Sequence, residues 1–198
     1  MPSCEQLSKL ETVNSRQPDK TRTVRTMTTL TTTSLSALSQ DEFVQAMEGI
    51  FEHSPWVAER AWTLRPFASR EALLEALCST MLSATHDEQL ALIRAHPELA
   101  GKAAVRGELT AESTREQAGA RLDACSPEEF ARLQTLNSAY GEKFGFPFIL
   151  AVRGYDRAQI IQRFAERLEN SVENEFSEAL QQITRIARLR MEERVADW

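Results

Sequence analysis

One local signature, met four times between Ser39 and Glu129, constrains the fold of this chain more than any other feature. Ser39-Gln40-Asp41-Glu42, Thr85-His86-Asp87-Glu88, Ser113-Thr114-Arg115-Glu116 and Ser126-Pro127-Glu128-Glu129 each set a hydroxyl three residues ahead of a glutamate. At that spacing the two side chains answer the exposed backbone amides of a helix start. Pro127 adds a residue suited to the first helical position, where no amide proton is needed. Apolar residues follow each match at helical spacing: Phe43, Val44, Met47, Ile50 and Phe51; Leu90, Leu92 and Ile93; Ala118 and Leu122; Phe130, Leu133, Leu136 and Tyr140. The same period runs through Leu73, Leu74, Leu77 and Met81, through Ile160, Ile161, Phe164 and Leu168, and through Val172, Phe176, Leu180, Ile183 and Ala187. No hairpin signal and no run of alternating residues competes with it, and no repeat of solenoid length is visible. The pattern predicts an all-α fold, a single compact domain of about eight or nine helices over residues 35–198. The most apolar run, Gly145 to Gly154, admits either a short strand or a buried helical turn, which periodicity cannot separate.

Residues 1–34 read differently. Thr21 to Ser34 holds eight threonines in fourteen residues and little apolar material, too little to offset the entropy of ordering. This stretch is expected to be a disordered tail, with Met27 as a later natural start. It carries five basic and three acidic residues, which leaves the body at −8. An acidic body without a basic stripe argues against nucleic acid as a partner. No apolar run nears the roughly 20 residues of a membrane span, and the first residues lack the apolar centre of a secretory signal. Cys4, Cys78 and Cys125 are odd in number and far apart, which fits neither a disulfide framework nor a zinc ribbon. A reducing, cytoplasmic setting is expected. The terminal Ala196-Asp197-Trp198 is not a peroxisomal signal of the Ser-Lys-Leu type.

The chemistry-bearing residues are few. His53, His86 and His96 form no two-histidine pair at helical spacing, so no metal site is expected. There is no nucleophile elbow and no glycine loop for a phosphate or dinucleotide; the expected cofactor is none. His96 stands out because Pro97 follows it. A residue before proline is pushed out of helical geometry, so His96 belongs at a helix exit with its direction fixed. Glu98 and Gly101 lie close in sequence, in an arrangement open to both a catalytic reading and a surface turn. The expected helix start at Ser113 to Glu116 would present free amides to an anion, and Gln117 adds a donor and an acceptor. Arg153 closes the apolar run; such an arginine is ordinarily a solvated surface residue, yet at a pocket edge it can grip a carboxylate.

Taken together, the motifs resemble the 2-oxo-4-hydroxy-4-carboxy-5-ureidoimidazoline (OHCU) decarboxylase family. The likeness spans about residues 35–190. It rests on Phe51-Glu52-His53-Ser54-Pro55-Trp56, on Ala95-His96-Pro97-Glu98-Leu99-Ala100-Gly101, on Ser113 with Glu116-Gln117-Ala118-Gly119, and on Leu136-Asn137-Ser138-Ala139-Tyr140. It continues through Lys143-Phe144-Gly145-Phe146-Pro147-Phe148-Ile149 to Val152-Arg153-Gly154. Each block is moderately specific, and their order and spacing together are highly specific. The resemblance implies an all-helical homodimer, without metal or organic cofactor, that decarboxylates OHCU to (S)-allantoin after a urate oxidase and a 5-hydroxyisourate hydrolase. It implies a catalytic histidine at His96, a glutamate at Glu116 and an arginine at Arg153. Substrate contacts are implied at Pro97, at Ser113, Thr114, Arg115, Glu116 and Gln117, and at Phe148, Ile149, Leu150, Ala151 and Val152. The carboxylate partner of His96 would then be Glu116 rather than Glu98. Histidine suits the task because its ordinary pKa of about 6.5 lets it hold or release a proton near neutrality. Two other readings compete: a helical binding module on the same fold, and a decarboxylase or lyase for another ureido acid.

Overall fold

The computed structural model describes residues 30–196, and within them the chain runs from helix to helix without a strand. Ten α-helices follow in order among the described residues: α1 (Thr32–Ala37), α2 (Gln40–Ala46), α3 (Trp56–Ala61), α4 (Arg70–Leu82), α5 (His86–Ala95), α6 (Lys102–Val105), α7 (Ala111–Gly119), α8 (Pro127–Phe144), α9 (Arg157–Arg167) and α10 (Val172–Arg194). Two 3-10 turns, Trp62–Leu64 and Leu122–Ala124, complete the set. The all-α reading stands. The count exceeds the expected eight or nine because α1 and the four-residue α6 are too short to show a period.

Three of the four expected helix starts form as read. Ser39, Thr85 and Ser126 each accept the amide of a glutamate three residues on, and that glutamate returns a bond to the cap amide. The match at Ser113 does not form. Thr110 caps α7 instead, its hydroxyl accepting the Ser113 amide at 3.2 Å. Ser113 therefore lies inside the first turn and Glu116 in the middle of the helix, so neither presents a free helix start to an anion.

The boundary at residue 34 also moves. Leu30 pairs with the chain's far end, its carbonyl accepting the Ala196 amide at 2.8 Å, and Leu35 of α1 is fully buried. The rest of the expected tail, residues 1–29, lies outside the described residues. Among the described residues, no helix is long and apolar enough to cross a membrane.

The last helix organises the core. At 1.5 Å per residue, the 23 residues of α10 run roughly 35 Å, packed against α4, α5 and α8. Its buried face carries Ala179, Leu180, Ile183, Ile186, Ala187 and Met191. Three polar side chains, Glu175, Gln182 and Arg190, are buried on the same helix, about two turns apart. Gln182 serves the apolar run, which is neither strand nor helical turn from Pro147 to Val152. With no partner strand, its buried backbone groups need side chains: the Ala151 amide donates to Gln182 Oε1 at 3.0 Å, and Arg167 Nη1 donates to the Ile149 carbonyl at 2.6 Å. Behind the run, Phe148 stacks on Phe164 with centroids 3.9 Å apart, and Tyr140 meets both rings edge-on.

Candidate active site

His96 ends α5 as Pro97 dictates: the helix stops at Ala95, and His96 takes an extended φ of −75° and ψ of 140°. Its ring Nδ1 lies 2.9 Å from the Leu92 carbonyl. A carbonyl only accepts, so Nδ1 carries the proton, and Nε2 of the neutral ring is an unprotonated lone pair. Burial pulls the His96 pKa down to about 4; the Leu92 bond and the nearby Glu52 charge oppose that only in part. His96 is therefore neutral near neutrality, with Nε2 free to accept a proton.

The turn after it is held by amide side chains. Ala100 adopts a left-handed φ of 49°, a strained conformation for a residue with a Cβ. Gln117 accepts its amide at 2.9 Å and Gln134 donates to its carbonyl at 2.8 Å, while Asn137 donates to the Leu99 carbonyl at 3.0 Å. Glu98, by contrast, is exposed.

The turn, α7, the apolar run and α10 enclose a narrow cavity of about 30 Å³ that opens to solvent. His96, Pro97, Ser113, Glu116, Gln117, Phe148, Ile149, Leu150 and Val152 line it, joined by Leu99, Ile186 and Arg190. Four of the expected positions lie elsewhere. Thr114 and Arg115 face outward on α7, and Ala151 turns its amide to Gln182. Arg153 does not line the cavity: its side chain is 50% exposed and paired with Glu193.

The arginine in the cavity is Arg190, which the sequence reading passed over. Its Nε and Nη2 bond the two oxygens of Glu116, each at 2.7 Å. Its Nη1 donates to Glu52 Oε2 and to the Gly49 carbonyl, both at 2.9 Å, and Nη2 also approaches Ser113 Oγ at 3.4 Å. Burial works against the Arg190 charge, but Glu116 and Glu52 outweigh it and raise the pKa. Burial likewise pushes the Glu52 carboxyl up, and the Thr110 hydroxyl with Arg190 reverses this, so Glu52 ends below the ordinary range. The site thus joins a neutral imidazole, a fixed guanidinium and two carboxylates beside an apolar wall. Among the described residues, no three His, Cys, Asp or Glu side chains gather to hold a metal ion.

A family model described as OHCU decarboxylase matches residues 36–192. The chain belongs to the OHCU decarboxylase family. It is 42% identical over 159 residues to the 2-oxo-4-hydroxy-4-carboxy-5-ureidoimidazoline decarboxylase of Halalkalicoccus jeotgali, covering 80% of this chain and 88% of that protein. It is 39% identical to the uric acid degradation bifunctional protein of a Bacillus species, where the match covers 80% of this chain and 31% of the larger protein. The crystal structure of an (S)-allantoin synthase superposes with a TM-score of 0.67 at 27% identity, over 84% of this chain and 54% of that one. The chain therefore spans about half of that solved protein and a third of the bifunctional one. Members of the OHCU decarboxylase family are carboxy-lyases, and the chain is an enzyme of that class.

Proposed function

We propose that this OHCU decarboxylase family member converts OHCU to (S)-allantoin, with His96, Glu116 and Arg190 as its working polar groups. One observation carries the reading: a buried neutral histidine, its Nδ1 proton committed to Leu92, lines the same cavity as the Arg190–Glu116 pair. Arg190 offers the substrate's carboxylate a planar, two-pronged partner. When the bond to the carboxylate breaks, carbon dioxide leaves and the electron pair enters the conjugated imidazoline ring. The ring is the electron sink, so the step needs neither metal nor organic cofactor.

Nε2 of His96 takes the proton of the substrate's hydroxyl as that group becomes the carbonyl of allantoin. The imidazolium returns this proton to one face of the ureido-bearing carbon, setting the stereocentre, and solvent protonates the ring nitrogen that holds the remaining charge. Glu116 orients the hydroxyl or ureido group. The wall of Phe148, Ile149, Leu150 and Val152 keeps water from the carbanion-like intermediate.

The same reading makes the enzyme a cytoplasmic homodimer that follows a urate oxidase and a 5-hydroxyisourate hydrolase. Freshly generated OHCU, with allantoin followed by circular dichroism, tests it. The expected product is (S)-allantoin, formed well above the spontaneous rate. Racemic allantoin at the spontaneous rate would sink the proposal.

A further inference from the structure

Glu52 sits directly behind the cavity and is 1% exposed. A carboxylate so deeply buried must have its charge and lone pairs met, and here they are. Oε1 accepts from Thr110 Oγ1 at 2.7 Å and from Ser113 Oγ at 3.1 Å; Oε2 accepts from Arg190 Nη1 at 2.9 Å. Neither Glu52 nor Gly49 lines the cavity, whereas Glu116 and Ser113 do.

The guanidinium of Arg190 thus has two distinct edges. The inner one, Nη1, is held by Glu52 and the Gly49 carbonyl; the outer one, Nε with Nη2, is held by Glu116 and Ser113. All five N–H groups are engaged, so an incoming anion reaches Arg190 only by displacing a present partner. Glu116 is the one free to move: its side chain is 28% exposed against 1% for that of Glu52.

We propose that Glu52 is a positioning residue that fixes the inner edge of Arg190, so that the outer edge can exchange Glu116 for the substrate's carboxylate. This rests on the decarboxylase reading above. Two carboxylates share one arginine, and while Glu116 bonds the substrate, Glu52 keeps the guanidinium from following it. Glu52 also places a fixed negative charge near His96. The charged and titratable groups around that ring are Glu52 and His53 from the loop after α2, Glu116 from α7 and Arg190 from α10. Of these, Glu52 favours the imidazolium that forms during turnover, while Arg190 and His53 disfavour it.

The test compares wild type, Glu52→Gln and Glu52→Asp in the stereospecific allantoin assay, with melting curves and pH profiles of kcat/KM. Glu52→Gln keeps the shape and loses the charge. Its kcat is expected to fall roughly tenfold to a hundredfold, the cost of a displaced catalytic group. Its acidic limb should move to lower pH, because the anion that favours the imidazolium is gone. Glu52→Asp keeps the charge but withdraws it by about one carbon–carbon bond length; kcat falls while the limb stays in place. A merely structural role lowers the melting temperature and moves neither kcat nor the limb, and that result overturns the proposal. If Glu52→Gln does not fold, Glu52→Asp decides, and a wild-type kcat there overturns it equally. A wild-type enzyme that makes no (S)-allantoin overturns the decarboxylase reading and this one with it. An active wild type matched by both variants overturns this one alone.

Discussion

Arg190 binds Glu116 through two parallel hydrogen bonds, Nε to Oε1 and Nη2 to Oε2, each 2.7 Å long, between residues 74 apart in sequence. The pairing brings the middle of α7 to the last turns of α10 and makes both helices walls of one cavity. A bidentate pair of this kind fixes orientation as well as charge.

Lysine at this position would keep the charge but not the geometry. Its ammonium is a point donor on a flexible stem and cannot serve Glu116, Glu52 and Gly49 together. Arg190→Lys is therefore expected to lower kcat/KM by about a hundredfold or more, in line with losing a preorganised donor to a developing charge. Arg153→Ala is expected to stay within about threefold of wild type, since an exposed pair is worth roughly 0–1 kcal/mol. Steady-state kinetics on the two variants separates them. Equal losses would return Arg153 to the site.

These two arginines show where the sequence was legible. Pro97 fixes the exit of α5, so the placement of His96 followed from a local rule. Arg153 stands out because it closes an apolar run, but Val152 before it lines the cavity and Arg153 does not. Arg190 lies in an arginine-rich stretch with Arg185, Arg188 and Arg194, which reads as a solvated face. The period Ile183, Ala187 continues to Arg190 and Met191, and that was the available signal that a charge falls on the buried side. Glu52 had no comparable signal. Its value comes from α7 and α10, which reach it from 58 and 138 residues away. The displaced cap has a similar cause. Thr110-Ala111-Glu112-Ser113 lacks a glutamate at its fourth position, so the true start matched no template, while Ser113 and Glu116 matched one by coincidence of spacing.

The lowered pKa of His96 sets two pH dependences. In turnover, the ring must offer a lone pair, so kcat/KM is expected to fall only as pH approaches about 4, well below the ordinary histidine range near 6.5. In stability, the unfolded chain binds a proton on this residue below about 6.5 and the folded chain does not until about 4. Folding stability contributed here is present above 6.5 and is lost as pH falls through that window, by up to roughly 1.4 kcal/mol per pH unit. His96→Gln should flatten that slope, retain the fold and cut turnover by about 10²–10⁴-fold, the usual weight of a proton-transfer group. Denaturant melts at pH 4, 5, 6 and 7 on both proteins check the slope. An unchanged slope in the variant would place the acid sensitivity on another group.

The apolar wall depends on polar groups outside the cavity. Arg167 donates to the Ile149 carbonyl and lies over the Phe148 ring, its carbon 4.5 Å from the centroid. It is held in turn by buried Glu175, which also accepts from Tyr140 and Asn170. Removing one member of a buried ion pair leaves the other charge uncompensated, at a cost of about 3–5 kcal/mol. Arg167→Met is therefore expected to lower stability severely and is a poor probe of the wall itself. Gln182→Leu is the sharper one. It strips the acceptor from the buried Ala151 amide, which costs about 1–3 kcal/mol, and leaves every polar group of the cavity in place. A wall released at that point closes less well over bound and reacting substrate alike, and interactions lost equally from both states raise KM without lowering kcat. The expected result is a KM raised several-fold, a modest fall in melting temperature and a kcat near wild type. An unchanged KM beside the same stability loss would mean that Phe148 to Val152 hold their place through the aromatic stack alone.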